Sequence, residues 1–306
     1  MKIAVIGCGF VGGTVADFLE EHCTKDGVEV VRIDPKIEDA PELSDVAHLD
    51  AAILCLNAPT IDNGSVDIAP TTEYIRELNN KFGTDFPILL KSTMPIFSRM
   101  QESINEFTSN VTYNPEFLTA SNAKEDFLNQ EHFIVGVDPR EITWDIPAED
   151  NTYARFWTNI FAPALPNTEF IYTDRETAAM VKYTHNAWLA TKVTFFHALS
   201  ESMPGLSNYD EMTDILAKFT NIGPSHMKVP NAEGGLGYGG FCFPKDMKAF
   251  QHFTDMFLVE EIIHQNDQVL KKKKFQDLKI KEYNVPEEDY IICIGCLLYT
   301  SDAADE

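Results

Sequence analysis

A short apolar run, Lys2 to Ile6, opens directly into Gly7-Cys8-Gly9-Phe10-Val11-Gly12, and an aspartate, Asp34, stands 22 residues beyond Gly12. Few patterns restrict a chain more. Glycines spaced G-x-G-x-x-G between a strand and a helix permit a tight turn and leave space for a pyrophosphate at the helix N-terminus. An acid at the end of the second strand binds the ribose hydroxyls. The glycine spacing alone is weak; with strand, helix and acid in place it points to a dinucleotide site rather than a chance turn. A carboxylate at Asp34 repels a 2′-phosphate and so favours NAD over NADP, while Arg32 and Lys36 nearby argue the other way.

The rest of the N-terminal half repeats the alternation that such a turn needs. Apolar runs at Val28–Ile33, Ala51–Leu56, Phe86–Leu90, Val111–Tyr113 and Phe133–Val137 predict strands, with helical patterns at 10–22, 71–82 and 97–107. Strands alternating with helices imply a parallel sheet covered on both faces, a doubly wound α/β fold of the Rossmann-like kind over residues 1–173. From Asp174 to about Ser202 there is no glycine or proline, and Ala178, Val181, Ala187, Leu189, Val193, Phe196 and Leu199 recur at helical spacing. One long helix is predicted there, with Asp174 as its N-cap. Further helices at 208–220, 245–256 and 258–274, and a glycine-rich loop at 229–242, make residues 174–284 a helical domain. Tyr290-Ile291-Ile292-Cys293-Ile294-Gly295 reads as a new strand and turn, the start of a further domain over 285–306 that is soon cut off.

The chain has 306 residues, 44% hydrophobic and 24% charged, ordinary for a globular protein. Its formal charge is −24, which argues against general nucleic-acid binding. No apolar run is long enough to span a bilayer, and the first residues read as a buried strand rather than a signal peptide, so a cytoplasmic location is expected. Six cysteines without a secretion signal are expected to be free thiols, with Cys8 and Cys55 inert beside apolar strands. The C-x-x-C pair Cys293 and Cys296 lies on a strand-like run, and no histidine-rich arrangement supports a metal.

Gly237-Tyr238-Gly239-Gly240-Phe241-Cys242-Phe243-Pro244-Lys245-Asp246 carries the chemistry. A cysteine in a glycine-rich loop, close to a lysine and an aspartate, is a candidate nucleophile, because its thiolate can be stabilised there. Lys91-Ser92-Thr93-Met94-Pro95 and Asn114-Pro115-Glu116-Phe117-Leu118 follow predicted strands. The carboxyl ends of strands are where open α/β sheets bind ligands. Lys182 and Asn186 share one helix face four residues apart, a spacing that on its own describes a solvated pair. His185 and His197 read as surface or satisfied core residues.

Taken in order, GCGFVG, KSTMP, NPEFL, AMVKYTHNAWLATKVTF and GYGGFCFPKD resemble the UDP-glucose/GDP-mannose dehydrogenase family, over nearly everything up to about residue 285. The resemblance implies NAD-dependent oxidation of the CH2OH of a nucleotide sugar, as from UDP-glucose to UDP-glucuronate, by two hydride transfers through a thiohemiacetal and a thioester on Cys242. It implies that Lys182 stabilises an oxyanion, that Asp246 orients water or acts as a base, and that Thr93 and Glu116 handle water and protons. Substrate contacts would come from Asn186, Glu116, Phe117, Leu118, Lys182, Tyr238, Gly239 and Gly240. NAD contacts would come from Gly7, Gly9, Phe10, Val11, Gly12, Asp34, Lys36 and Thr93. It also implies a homodimer built on the long helix, and a C-terminal domain that binds the UDP portion.

The chain departs from the family's pattern at several places. Phe241 stands where serine is usual before the cysteine, His197-Ala198 where asparagine-glutamate is usual, and Asn221-Ile222-Gly223 where the family has arginine-isoleucine-glycine. The missing arginine keeps open a sibling substrate such as UDP-N-acetylmannosamine or GDP-mannose. The tail 296–306 does not resemble the family's continuation and reads as non-native, which leaves open an inactive NAD-binding dimeric fragment.

Overall fold

The computed structural model describes residues 1–96, 107–119, 122–202, 208–230 and 235–283. The expected helix at 97–107 lies almost wholly outside these residues, and the strand at 290–295, the C-x-x-C pair and the tail lie outside them altogether. The elements in chain order are β1 (Lys2–Ile6), α1 (Phe10–Phe18), β2 (Glu29–Ile33), β3 (Ala51–Leu54), α2 (Ala69–Phe82), β4 (Ile88–Leu90), β5 (Val111–Tyr113), α3 (Ala123–Leu128), β6 (His132–Val137), α4 (Thr152–Phe161), β7 (Glu169–Asp174), α5 (Arg175–Ser202), α6 (Tyr209–Leu216), α7 (Cys242–Thr254) and α8 (Phe257–Tyr283). Two compact units divide the chain. One holds residues 1–185 with 248–254; the other holds 186–247 with the described residues from 255 onward.

The first unit is built on a seven-stranded sheet of order β2-β1-β3-β4-β5-β6-β7. Strands β1 to β5 are parallel, with Ile6 opposite Ile33 and Leu54, and Leu90 opposite both Leu54 and Tyr113. The expectation of a wholly parallel sheet is corrected at β6, which pairs antiparallel to β5 through Tyr113 and Gly136, and β7 runs parallel to β6. Every residue of β3, β4 and β5 is buried, as strands covered on both faces must be. The core behind the sheet is aromatic: Phe161 of α4 meets Trp157 on its own helix and Phe133 of β6, while Phe18 of α1 packs on Phe127 and Phe161. The helix expected over 10–22 forms, but its last turn, Leu19–Cys23, widens to π geometry.

The chain order places the switch in direction at β1, whose neighbours are β2 and β3. The crevice outside the carboxyl ends of β1 and β3 is therefore the expected ligand position. The first turns of helix α5 run beside β5 and β6. Asp174 caps it as expected, accepting the Thr177 N–H at 2.9 Å. Arg175 is buried and donates to the carbonyls of Phe107, Thr108 and Val111, at the start of β5, and pairs with Asp138 at 3.0 Å. Seven residues later, about 10 Å along the helix axis, Lys182 reaches Glu116, past the end of β5. The close approach of α5 to β6 needs Gly136, where a Cβ would lie 2.9 Å from the Ala178 Cβ.

The buried stripe of α5 keeps Ala178, Ala187 and Phe196 of the expected one, with Leu189, Val193 and Leu199 half-buried, and adds polar residues. It runs Arg175, Ala178, Ala179, Lys182, Tyr183, Asn186, Ala187 and Ala190, whereas Val181 is exposed. In the second unit α6 spans Tyr209–Leu216, shorter than expected. Helix α7 begins at Cys242, three residues before the expected start. Pro244 is tolerated there because a first-turn N–H has no helical acceptor to lose. Among the described residues no helix is long and apolar enough to cross a membrane.

Candidate active site

The glycine turn after β1 has a distinct requirement at each position. Gly7 adopts φ +84° and its N–H donates to Ile33 O at 2.9 Å, tying the ends of β1 and β2. A Cβ on Gly12 would sit 1.9 Å from Gly7 O, so no other residue fits without moving the turn. Gly9 differs: a Cβ there would meet nothing within 4 Å. Packing therefore does not demand Gly9, and the open space at this helix N-terminus suits the pyrophosphate of a dinucleotide. Asp34 Oδ2 accepts the Cys8 N–H at 2.7 Å and Oδ1 the Lys36 N–H at 2.9 Å. Each oxygen keeps a lone pair for a ribose hydroxyl.

Arg32, which the sequence left as an argument for NADP, is engaged elsewhere. Its guanidinium donates to Asp17 at 2.5 Å and to Glu20 at 2.9 and 2.7 Å. Phe10 is exposed and Val11 half-buried beside the turn, and the residues present fit the nicotinamide dinucleotide that the motif implies.

The carboxyl ends of β3, β4 and β5 carry a second group. Lys91, just after β4, is buried, hydrogen-bonds Asn114 Oδ1, and lies 5.4 Å from the Phe127 ring. Burial pulls its ammonium down to about 8, against the opposing charges of Cys55 and Glu116. Asn114 in turn donates to Ile134 O at 2.8 Å, joining the ends of β5 and β6. Cys55, after β3, is pushed up to about 12 by burial, so it is an inert thiol as expected.

Thr93 is half-buried on the same edge. Glu116 accepts the Leu118 N–H at 3.0 Å and pairs with Lys182 at 3.2 Å, and the Lys182 ammonium also donates to Glu116 O at 3.1 Å. Burial pushes the Glu116 carboxyl up, but Lys182 and the Leu118 N–H together hold it below the usual carboxylate range. Phe117 is exposed, edge-on to the His185 ring at 5.0 Å.

In the second unit Cys242 is half-buried as the first residue of α7. Asp246, one turn further on, is buried; its Oδ2 accepts from Asn186 at 2.7 Å and its Oδ1 from Lys245 at 2.5 Å. Phe241 is exposed. The loop before it turns at Gly237 (φ +67°) and Gly240 (φ +71°), and a Cβ on Gly239 or Gly240 would meet nothing within 4 Å. Tyr238 is buried.

Spacing alone read Lys182 and Asn186 as a solvated pair. Both are buried, and each holds a carboxylate. Two participants were missed. Lys245 lay inside the quoted motif but was given no role, and Asn266 of α8, whose amide bonds the Tyr238 peptide, lies in a stretch with no motif to mark it.

Two family models match the chain: the NAD binding domain of the UDP-glucose/GDP-mannose dehydrogenase family over residues 37–155, and that family's central domain over residues 176–268. A UDP-glucose 6-dehydrogenase of Rickettsia felis is 25% identical over 309 residues, covering 88% of this chain and 65% of that protein, so the chain spans less than two thirds of that relative's length. In fold the chain is similar to a UDP-glucose dehydrogenase from Pyrobaculum islandicum (TM-score 0.67, 20% identity, covering 92% of this chain and 71% of that one). It is equally similar to a UDP-D-ManNAc dehydrogenase from Pyrococcus horikoshii (TM-score 0.67, 17% identity, covering 93% and 73%). With a dinucleotide turn at one strand edge and a cysteine-headed helix in the motif order described, the chain belongs to the UDP-glucose/GDP-mannose dehydrogenase family and carries its NAD-binding and central domains.

Proposed function

We propose that the protein oxidises the CH2OH of a nucleotide sugar to the carboxylate, UDP-glucose to UDP-glucuronate, through a covalent intermediate on Cys242. The observation that carries this reading is the arrangement on the first turns of α7. A half-buried thiol begins the helix, and a buried carboxylate one turn later is clamped by Asn186 and Lys245. NAD, when bound, supplies the acceptor for hydride in each of the two oxidations. The protein's residues do the rest.

The Lys182 ammonium, held by Glu116, stabilises negative charge on the sugar oxygen as its proton passes to the water that Glu116 and Thr93 handle, and again when that oxygen becomes an oxyanion. Cys242 adds its sulfur to the aldehyde carbon, giving a thiohemiacetal that still carries the hydrogen to be lost as hydride. The second oxidation leaves a thioester. Asp246, fixed in direction by its two donors, accepts a proton from the attacking water. The C–S bond then breaks to give the acid and the free thiol. The family resemblance gives the handling of water to Glu116 and Thr93, and sugar contacts to Phe117, Leu118, Asn186, Tyr238, Gly239 and Gly240.

On α5, Trp188 and Phe195 lie seven residues apart and are 61% and 60% exposed. A second copy of the chain covers this face in the proposed assembly. Asn221, in place of the family's arginine, supports a second reading in which the sugar is N-acetylmannosamine or the nucleotide GDP.

Purified protein given NAD and UDP-glucose should form about two NADH per sugar oxidised. Cys242→Ala should form none of the acid, and normal acid formation by that variant would overturn the covalent route. A panel of nucleotide sugars separates the two substrates, and NAD binding without turnover of any sugar would leave only a dinucleotide-binding protein.

A further inference from the structure

We infer that Asn266 is a positioning residue for Cys242, acting through the Tyr238 peptide to set the path of the loop from which α7 emerges. This deepens the reading above, on which only its kinetic arm rests. The Tyr238 N–H donates to Asn266 Oδ1 at 2.8 Å, and Asn266 Nδ2 donates to Tyr238 O at 3.0 Å. One side-chain amide thus makes the pair of bonds that a neighbouring strand would make. Asn266 and Tyr238 are both buried, so neither peptide group can turn to water if the amide is lost.

Gly237 is shaped to the same contact. It takes φ +67°, and a Cβ there would lie 2.5 Å from Asn266 Oδ1 and 3.3 Å from Val269 Cγ1. The loop therefore has one end held hard, at 237–238, and one permissive stretch, at Gly239 and Gly240, immediately before the cysteine. Glycines impose no direction of their own, so the fixed end dictates it. A second link carries the position across. The Tyr238 ring meets the Phe243 ring edge-on at 6.2 Å, and Phe243 is the residue after Cys242.

The test needs no substrate. Iodoacetamide labelling of Cys242 is followed peptide by peptide against pH in the wild type, Asn266→Leu and Asn266→Asp, with buried Cys23 as the internal marker that the first unit is folded. Displacing the thiol from the helix N-terminus should move the Cys242 labelling profile to higher pH and slow labelling at neutrality, on the order of tenfold for Asn266→Leu. Asn266→Asp, which keeps the acceptor for the Tyr238 N–H, should fall between.

In turnover, kcat should drop by up to about 10²-fold with the KM for NAD unchanged, the loss expected when a reacting group is misplaced by about an ångström. A wild-type labelling profile in Asn266→Leu of normal melting temperature would overturn the inference. If Asn266→Leu does not fold, a wild-type profile in Asn266→Asp does the same. Absence of turnover in the wild type would overturn the proposed function and leave the labelling result to decide the role of Asn266.

Discussion

Lys182→Met should destabilise the protein far more than loss of a surface ion pair, and the loss should shrink as the pH falls. The ammonium stands 3.2 Å from Glu116 Oε1, with the two side chains 3% and 10% exposed. At that separation and an effective dielectric of about 20 the attraction is about 5 kcal/mol. Removing one member of a buried pair typically costs about 3–5 kcal/mol, because the other charge stays buried without compensation.

The pH dependence follows from Glu116. In the wild type its carboxyl is held below its ordinary value, so its stabilising contribution is present above the ordinary carboxylate range and is lost as pH falls through the lowered value. In the variant the Leu118 N–H and the more distant Lys91 charge are what remain to oppose burial, and burial pushes the carboxyl up from its wild-type value. Protonation on acidification then relieves the buried charge. The gap between the two proteins is widest near neutrality and narrows below about pH 5.

Urea unfolding, read from the buried Trp157, measures it. The double variant Glu116→Gln/Lys182→Met should recover most of the loss. A gap under about 0.5 kcal/mol at pH 7, the size of an exposed pair, would refute this account, as would a gap that does not change with pH.

Gly9→Ala and Gly12→Ala should separate cofactor contact from packing. The first should melt within about 0.5 kcal/mol of the wild type yet bind NAD at least tenfold more weakly by calorimetry, whereas the second should lose about 3 kcal/mol or more of stability. Lys91 should contribute about 3 kcal/mol of stability as the pH rises from about 8 to the ordinary lysine value, because the unfolded chain keeps a proton on Lys91 that the folded one sheds, while the raised Cys55 thiol acts in the opposite direction above about pH 9. The difference in urea-unfolding stability, wild type minus Lys91→Met, should grow by that amount across the same range. Under the proposed assembly, Trp188→Glu should leave the protein folded and sedimenting as a monomer where the wild type sediments as a dimer; a monomeric wild type would overturn that assembly.

What could be read from the chain, and what could not, divides along physical lines. The strands β1, β3 and β5 are short apolar runs ended by glycine or asparagine, and period and breaker agree on them. The turn at Gly7–Gly12 was legible because backbone geometry and close packing, not side-chain chemistry, demand Gly7 and Gly12. Helices α3 and α4 and strand β7 were missed. In α3 six residues carry too little periodicity, and β7 is a half-buried edge strand whose alternation is weak. The reversal of β6 is set by which connection reaches which edge, a non-local choice that leaves no mark in its own six residues. The early start of α7 was masked by Pro244, which reads as a breaker unless the first turn is recognised as the place where proline is tolerated.

Helix α5 shows why burial of the site's charges was harder to read than their identity. Its inward stripe at 3–4 residue spacing contains Arg175, Lys182, Asn186, Thr194 and His197, while two of its largest apolar side chains, Trp188 and Phe195, are exposed. A rule that places apolar residues inward finds Ala178, Ala187 and Phe196 on this stripe but misplaces Val181, which is exposed, and passes over the polar residues between them. The polar residues can lie inward because each of the first three has a fixed partner: Asp138 for Arg175, Glu116 for Lys182, Asp246 for Asn186. A buried charge without a partner costs several kcal/mol, so three polar residues at i, i+7 and i+11 on one stripe imply acceptors waiting in distant parts of the chain. All three acceptors are carboxylates, and the motif-bearing segments carry two of them, Glu116 and Asp246. Polar residues in the small-residue stripe of a long helix are thus a sequence signal that the stripe faces inward and that its partners are carboxylates from distant segments.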